Sequence, residues 1–242
     1  MLFTIAVGLV GLVAAAIASV VGFGIGSLLT PLLALRVGTR LAVAAVSIPH
    51  FLATLLRFWR LRAFVDRRVL LGFGVASAVG GLTGALLHSA AGSRLLAIVF
   101  GALLLFVGVS ELSGLARRIR FSGVAAWLAG GVSGLFGGLV GNQGGIRSAA
   151  LLGFDVPKEA FVATATAVGV IVDVARMPVY FATQARGILG VWPWVVAASA
   201  GTIAGTLLGE RVLRRVPARL FRRIVAVLVL ALGFYMVLRG GG

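Results

Sequence analysis

Cysteine is absent from the 242 residues of this chain. That excludes disulfides, thiolate metal centres and redox dithiols. Acidic residues are scarce too, six against 22 Lys and Arg. Charged residues of both signs make up 12% of the chain, where a soluble domain carries roughly a quarter. No polar stretch is long enough to hold a soluble domain between the apolar runs. Neither GxSxG nor HExxH occurs, so two common hydrolase arrangements have no residues to build from. The chain reads as a non-enzyme, with no catalytic residues, no metal site and no cofactor.

What is present is hydrocarbon. Hydrophobic residues make up 60% and the mean hydropathy is +1.13. Uncharged runs cover 2–35, 41–56, 69–87, 95–110, 121–146, 187–209 and 224–238. About 20 such residues cross a hydrocarbon core of about 30 Å as helix. The fold class is therefore an all-α polytopic membrane protein. The first run lacks a basic leader and its pattern returns near residue 122, so it reads as a structural span rather than a secretory signal. The formal charge of +16 does not mean nucleic acid. The arginines cluster at the ends of apolar runs, where they meet anionic headgroups of the lipid bilayer and set orientation.

The two halves resemble each other. Shifted by 118 positions, Gly26 falls on Gly144, Ala42 on Ala160 and Ala45 on Ala163. GGLTGALL at 80–87 echoes AGTIAGTLLG at 200–209, and 93–109 echoes 218–234. Internal repeats of this kind build secondary transporters. The expected units are a first repeat over 1–113, a cytoplasmic linker at 114–120 and a second repeat over 121–239. If each half made four plain crossings, Lys and Arg would divide eleven to ten between the two sides. If the glycine-broken segment of each half instead enters and leaves by one face, the division is fifteen to six, a proper positive-inside bias. The halves are then inverted four-helix repeats, each with a re-entrant or discontinuous first helix, and both termini lie outside.

The breaks are VGFGIGS (21–27) and VGNQGG (140–145). Half-helices are expected behind them over 26–35 and 144–154, reaching roughly 15–17 Å at 1.5 Å per residue. Glycines elsewhere (Gly72, Gly74, Gly80, Gly84, Gly201, Gly205) read as close helix packing. Non-helical backbone at membrane depth is tolerated only where it is buried or lines a cavity, so the two breaks read as a central binding site. A helix N-terminus offers unpaired N–H groups and a partial positive charge, and glycine lets an anion approach them. The site residues expected are Gly22, Gly24, Gly26, Ser27, Gly141, Asn142, Gln143, Gly144, Gly145, Arg147 and Ser148.

Arg147 adds a planar donor fork suited to oxyanions. A central arginine costs roughly 2.5–3.5 kcal/mol on insertion scales. Contact with substrate, a structural bridge to Asp173 or a carbonyl, and snorkelling are all open readings. His50 follows Pro49 in a crossing and reads either as a proton carrier or as a kink histidine. Asp173 and Arg176 are three apart on one helix face; they pair near the outer interface or take part in gating or proton coupling. Thr164, Thr166 and Ser47 either line the site or bond back within their helices.

The residues GFGIGSLLTP (22–31) and AVAAVS (42–47) resemble the N-terminal signature of the TauE/SafE sulfite-exporter family. SGLFGGLVGNQGGIRSAALLGF followed by KEAFVATATAVG is similar to its second-half repeat. The resemblance implies a permease of the bacterial inner membrane for sulfite, thiosulfate or organosulfonates, working often as an exporter. One departure is GNQGGIRSAA, with Ala149 opposite Pro31, which points to Gln143 and Arg147 as tuners of substrate choice. The reading is a secondary transporter for a small sulfur-containing anion, proton-coupled, exporting by alternating access. The alternative is an anion channel of the same architecture. Expected partners are the anion, protons and lipid, with a homodimer left open and nucleic acid excluded.

Overall fold

The structure is a computed structural model that describes residues 1–21, 23–115, 121, 123–151, 154, 156–213 and 218–241. Gly22 and most of the expected linker lie outside the described residues. The uncharged runs form helices, because lipid-facing backbone must satisfy its own N–H and C=O groups. The order is α1 (Leu2–Val21), α2 (Ile25–Leu61), α3 (Arg67–Ala90) and α4 (Ser93–Ser113). After these come α5 (Gly123–Val140), α6 (Gly144–Leu151), α7 (Lys158–Gly190), α8 (Trp192–Leu213) and α9 (Ala218–Gly241). No strand occurs among the described residues. Seven helices there are long and apolar enough to cross a membrane.

The first half-helix ends close to its expected limit at residue 35. Ile25–Leu61 is two helices joined at a sharp kink, where Gly38 (φ 75, ψ 161) is non-helical, so the half-helix and the next crossing are the two arms of α2. The second half-helix is shorter than expected, Gly144–Leu151, and Phe154 N–H closes a turn on Leu151 C=O at 3.1 Å.

The helices pair by a simple exchange between halves. α1 packs on α8, α3 on α5, α4 on α9 and α2 on α7. The first helix of each half therefore lies against the third of the other, while second meets second and fourth meets fourth. The contacts repeat in detail. A β-carbon on Gly201 would overlap the Gly8 carbonyl, and one on Gly80 the Gly131 carbonyl. Gly205 stands in the same relation to Leu12, and Gly84 to Leu135. Small residues bring backbones together this closely, the packing expected of them.

Two apolar clefts also sit at matching places. One, of about 380 Å³, lies between α1, the first arm of α2 and α9; the other, of about 810 Å³, lies between α4, α5 and α6. The outer surface is apolar, with Leu9, Val79, Leu86, Phe106, Leu128 and Phe234 exposed, as suits lipid as solvent. Polar side chains are turned inward instead: Ser27, Thr30, Thr54, His88, Asp173 and Arg176 are all buried.

Candidate functional site

The two breaks touch. A β-carbon on Gly26 would overlap the carbonyl oxygen of Gly141, so α2 starts against the end of α5. Glycine is required on both sides of this junction. Gly24 (φ 144) and Gly141 (φ 73) have backbone conformations that L side chains rarely adopt. Asn142 crosses the junction and donates its side-chain amide to Ser27 Oγ at 3.0 Å, with both residues buried. The first intrahelical bonds run from Leu28 N–H to Gly24 C=O (3.1 Å) and from Arg147 N–H to Gln143 C=O (2.9 Å). The N–H groups of residues 25–27 and 144–146 precede those bonds, at the positive ends of two helix dipoles. The two helix starts meet at the Gly26–Gly141 contact and the Asn142–Ser27 bond.

Polar groups around it are buried and partly unused. Neither amide atom of Gln143 has a hydrogen-bond partner, though the residue is 5% exposed. Its side-chain carbon Cδ lies 3.1 Å from where a β-carbon on Gly137 would stand, and its backbone carbonyl accepts from Ser133 Oγ at 3.3 Å. Thr30 Oγ1 is likewise buried without a partner. Arg147 is 4% exposed. Its Nη1 lies 2.9 Å from the place a β-carbon on Gly169 would take, beside Thr54 Cγ2 at 3.2 Å. Gly145 packs on Val107, and Ser148 is half-buried on α6.

A second polar cluster holds the far side of the break. Asp173 accepts from Arg176 Nε at 2.9 Å and pairs with its Nη2 at 2.7 Å; His50 Nδ1 lies 2.7 Å from the other carboxylate oxygen. The pairing expected from the three-residue spacing is present. The pair sits mid-way along α7, which extends well past the proline at 178. His50, read from the sequence either as a proton carrier or as a kink histidine, joins the pair.

The cluster also ends α5. A helix leaves its last carbonyls without intrahelical partners, and here three successive ones near the end meet side chains, Gly137 C=O in addition to its helical bond from Gly141 N–H at 3.0 Å. Arg176 Nη1 donates to Gly137 C=O at 2.6 Å, the Tyr180 hydroxyl to Gly138 C=O, and His88 Nδ1 lies 2.8 Å from Leu139 C=O. A cation at a helix C-terminus also complements the dipole. Tyr180 and His88 were not among the expected site residues. The four-residue spacing of Arg176 and Tyr180 on one helix face was the available signal.

The flanking hydroxyls have structural partners. Thr166 Oγ1 donates to Val162 C=O at 2.7 Å and Ser47 Oγ to Ala44 C=O at 2.6 Å, both within their own helices. Thr164 Oγ1 accepts from Asp66 N–H at 2.9 Å and so ties α7 to the start of α3. For Thr166 and Ser47 these are the bonds within their own helices that the sequence left open as one of two readings.

The sequence matches the family described as sulfite exporter TauE/SafE over residues 7–236. No curated protein and no solved structure matches the chain. The match spans nearly the whole sequence, and the chain belongs to the TauE/SafE family, whose description is that of membrane exporters of sulfite.

Proposed function

We propose that this member of the TauE/SafE family is a secondary transporter that exports a small sulfur-containing anion, namely sulfite, thiosulfate or an organosulfonate. The observation that carries the reading is the junction of the two breaks. Two helix N-termini converge there, bridged by Asn142 and Ser27, with the unpartnered amide of Gln143 and the guanidinium of Arg147 close by. Backbone N–H groups and a guanidinium fork are the donors an oxyanion takes. The exchange of helices between halves supports inverted repeats that rock about this junction, the usual mechanism of repeat-built carriers. In this reading the bacterial inner membrane holds the chain with both termini outside, and protons drive export through the His50–Asp173 pair.

The test is a thermal-shift and calorimetric screen of the detergent-purified protein with sulfite, thiosulfate, sulfate, sulfoacetate and taurine. At least one of these is expected to stabilise the wild type, and Arg147→Ala to weaken that effect about tenfold or more. Absence of stabilisation by every anion sinks the reading. Equal binding by Arg147→Ala removes its main side chain.

A further inference from the structure

The second half of the chain pairs its buried Arg176 with an acid, while among the described residues the half-buried Arg57 of the first half has none. The contacts of two arginines set the register of the halves one residue from the shift of 118 read in the sequence: a shift of 119 positions lays Ala18 on Gly137, Thr54 on Asp173 and Arg57 on Arg176. Arg57 Nη1 donates to Ala18 C=O at 2.5 Å, and Arg176 Nη1 donates to Gly137 C=O at 2.6 Å. Each carbonyl belongs to the final turns of a helix that ends at a break. In the second half Asp173 stands on the arginine at 2.7 Å. In the first half that place is taken by Thr54, and no carboxylate among the described residues pairs with Arg57.

Thr54 is itself unusual. It is 1% exposed and its Oγ1 has no hydrogen-bond partner. A threonine inside a helix commonly bonds back to the carbonyl four residues earlier, as Thr83, Thr166, Thr183 and Thr206 do here. The same shift lays His50 on Gly169. Where one half has an imidazole against the acid, the other has only the α7 backbone. Arg147 Nη1 and Thr54 Cγ2 fill the space left beside Gly169, and Arg147 is within electrostatic reach of Arg57. A buried hydroxyl without a partner, and an arginine with no acid among the described residues, therefore stand next to Arg147, which leads from the second break.

We infer that Arg57 and Thr54 complete the anion site, and that the bound anion supplies in the first half the negative charge that Asp173 supplies in the second. Arg57 gives one or two N–H donors to an anion oxygen and Thr54 gives its hydroxyl; Gly169 keeps the wall open on the α7 side. The inference deepens the transport reading above and rests on it. It names α2 as a source of side-chain donors, which the sequence repeat alone had confined to the breaks.

The experiment uses sodium sulfite and sodium thiosulfate titrated calorimetrically into the purified wild type and three variants. Thr54→Asp installs the acid that the second half already has. It is expected to leave a folded protein, with a melting temperature at or above that of the wild type, and to weaken anion binding at least tenfold. Arg57→Gln is expected to weaken binding about tenfold, and Thr54→Asn, which keeps a donor without charge, to change it less than threefold. Binding at wild-type strength in both Thr54→Asp and Arg57→Gln overturns the inference while leaving the transport reading intact. No binding by the wild type is a different result and removes the transport reading first. Should Thr54→Asp fail to fold, Arg57→Gln decides alone, since its side chain is half-buried and its loss leaves no charge behind.

Discussion

Asn142 and Ser27 stand 115 positions apart in the chain and share one hydrogen bond of 3.0 Å across the junction of the breaks. Both are buried, at 5% and 0% exposure, so water does not replace the bond when one partner is lost. Asn142→Ala and Ser27→Ala are each expected to lower the melting temperature. In a double-mutant cycle the pair should show a coupling of roughly 0.5–3 kcal/mol, the range for residues in direct contact. Strictly additive losses would show that the breaks are held together by backbone packing alone.

Gly26 offers a sharper test of that packing. A β-carbon there overlaps the Gly141 carbonyl, and the obstacle is backbone, which does not rotate away. Gly26→Ala is expected to cost about 1–3 kcal/mol, the range for overpacking, and to abolish anion stabilisation by parting the helix starts. Gly92→Ala serves as a control, because nothing lies within 4 Å of its added carbon and its φ of −74 suits alanine. Similar melting temperatures for the two variants would contradict the close junction.

Much of this was legible in the sequence. The spans followed from uncharged runs, because lipid leaves a helix no alternative. The breaks at 21–27 and 140–145 followed from glycine density. Local pattern did not reach the contacts between breaks, since nothing near Gly26 in the chain encodes the Gly141 carbonyl it meets. The kink at Gly38 fell close to the expected end at residue 35, because Arg36 and Arg40 interrupt the apolar run there. Arg57 was read as one of a basic cluster at a membrane face. Its role as a cap on α1 required seeing Ala18 beside it, a contact of 39 positions. His88 and Tyr180 were hidden for the same reason: they cap carbonyls of a helix far away in sequence.

Asp173 carries a structural load that neutralisation exposes. Its carboxylate takes both His50 and Arg176, and Arg176 in turn caps α5 at Gly137. Asp173→Asn keeps the shape and removes the charge, leaving a buried guanidinium without its acid. Breaking a buried pair from one side costs roughly 3–5 kcal/mol. A large fall in melting temperature is expected, and the double variant Asp173→Asn with Arg176→Gln should recover part of it because no charge is then stranded. A double variant less stable than Asp173→Asn would show that the cap on Gly137 outweighs the charge pair.

His50 decides between carrier and channel. Its Nδ1 is 2.7 Å from Asp173, and its side chain keeps 16% exposure where the acid has none. A proton-coupled carrier needs a proton relay beside its site, and His50 with Asp173 is the pair next to the break that Arg176 holds. In proteoliposomes the wild type is expected to show saturable sulfite flux that a pH difference accelerates. His50→Gln should keep anion binding in detergent and lose the acceleration. Flux that rises linearly with sulfite and ignores the pH difference in the wild type would make the protein an anion channel, with His50 reduced to holding Asp173 in place.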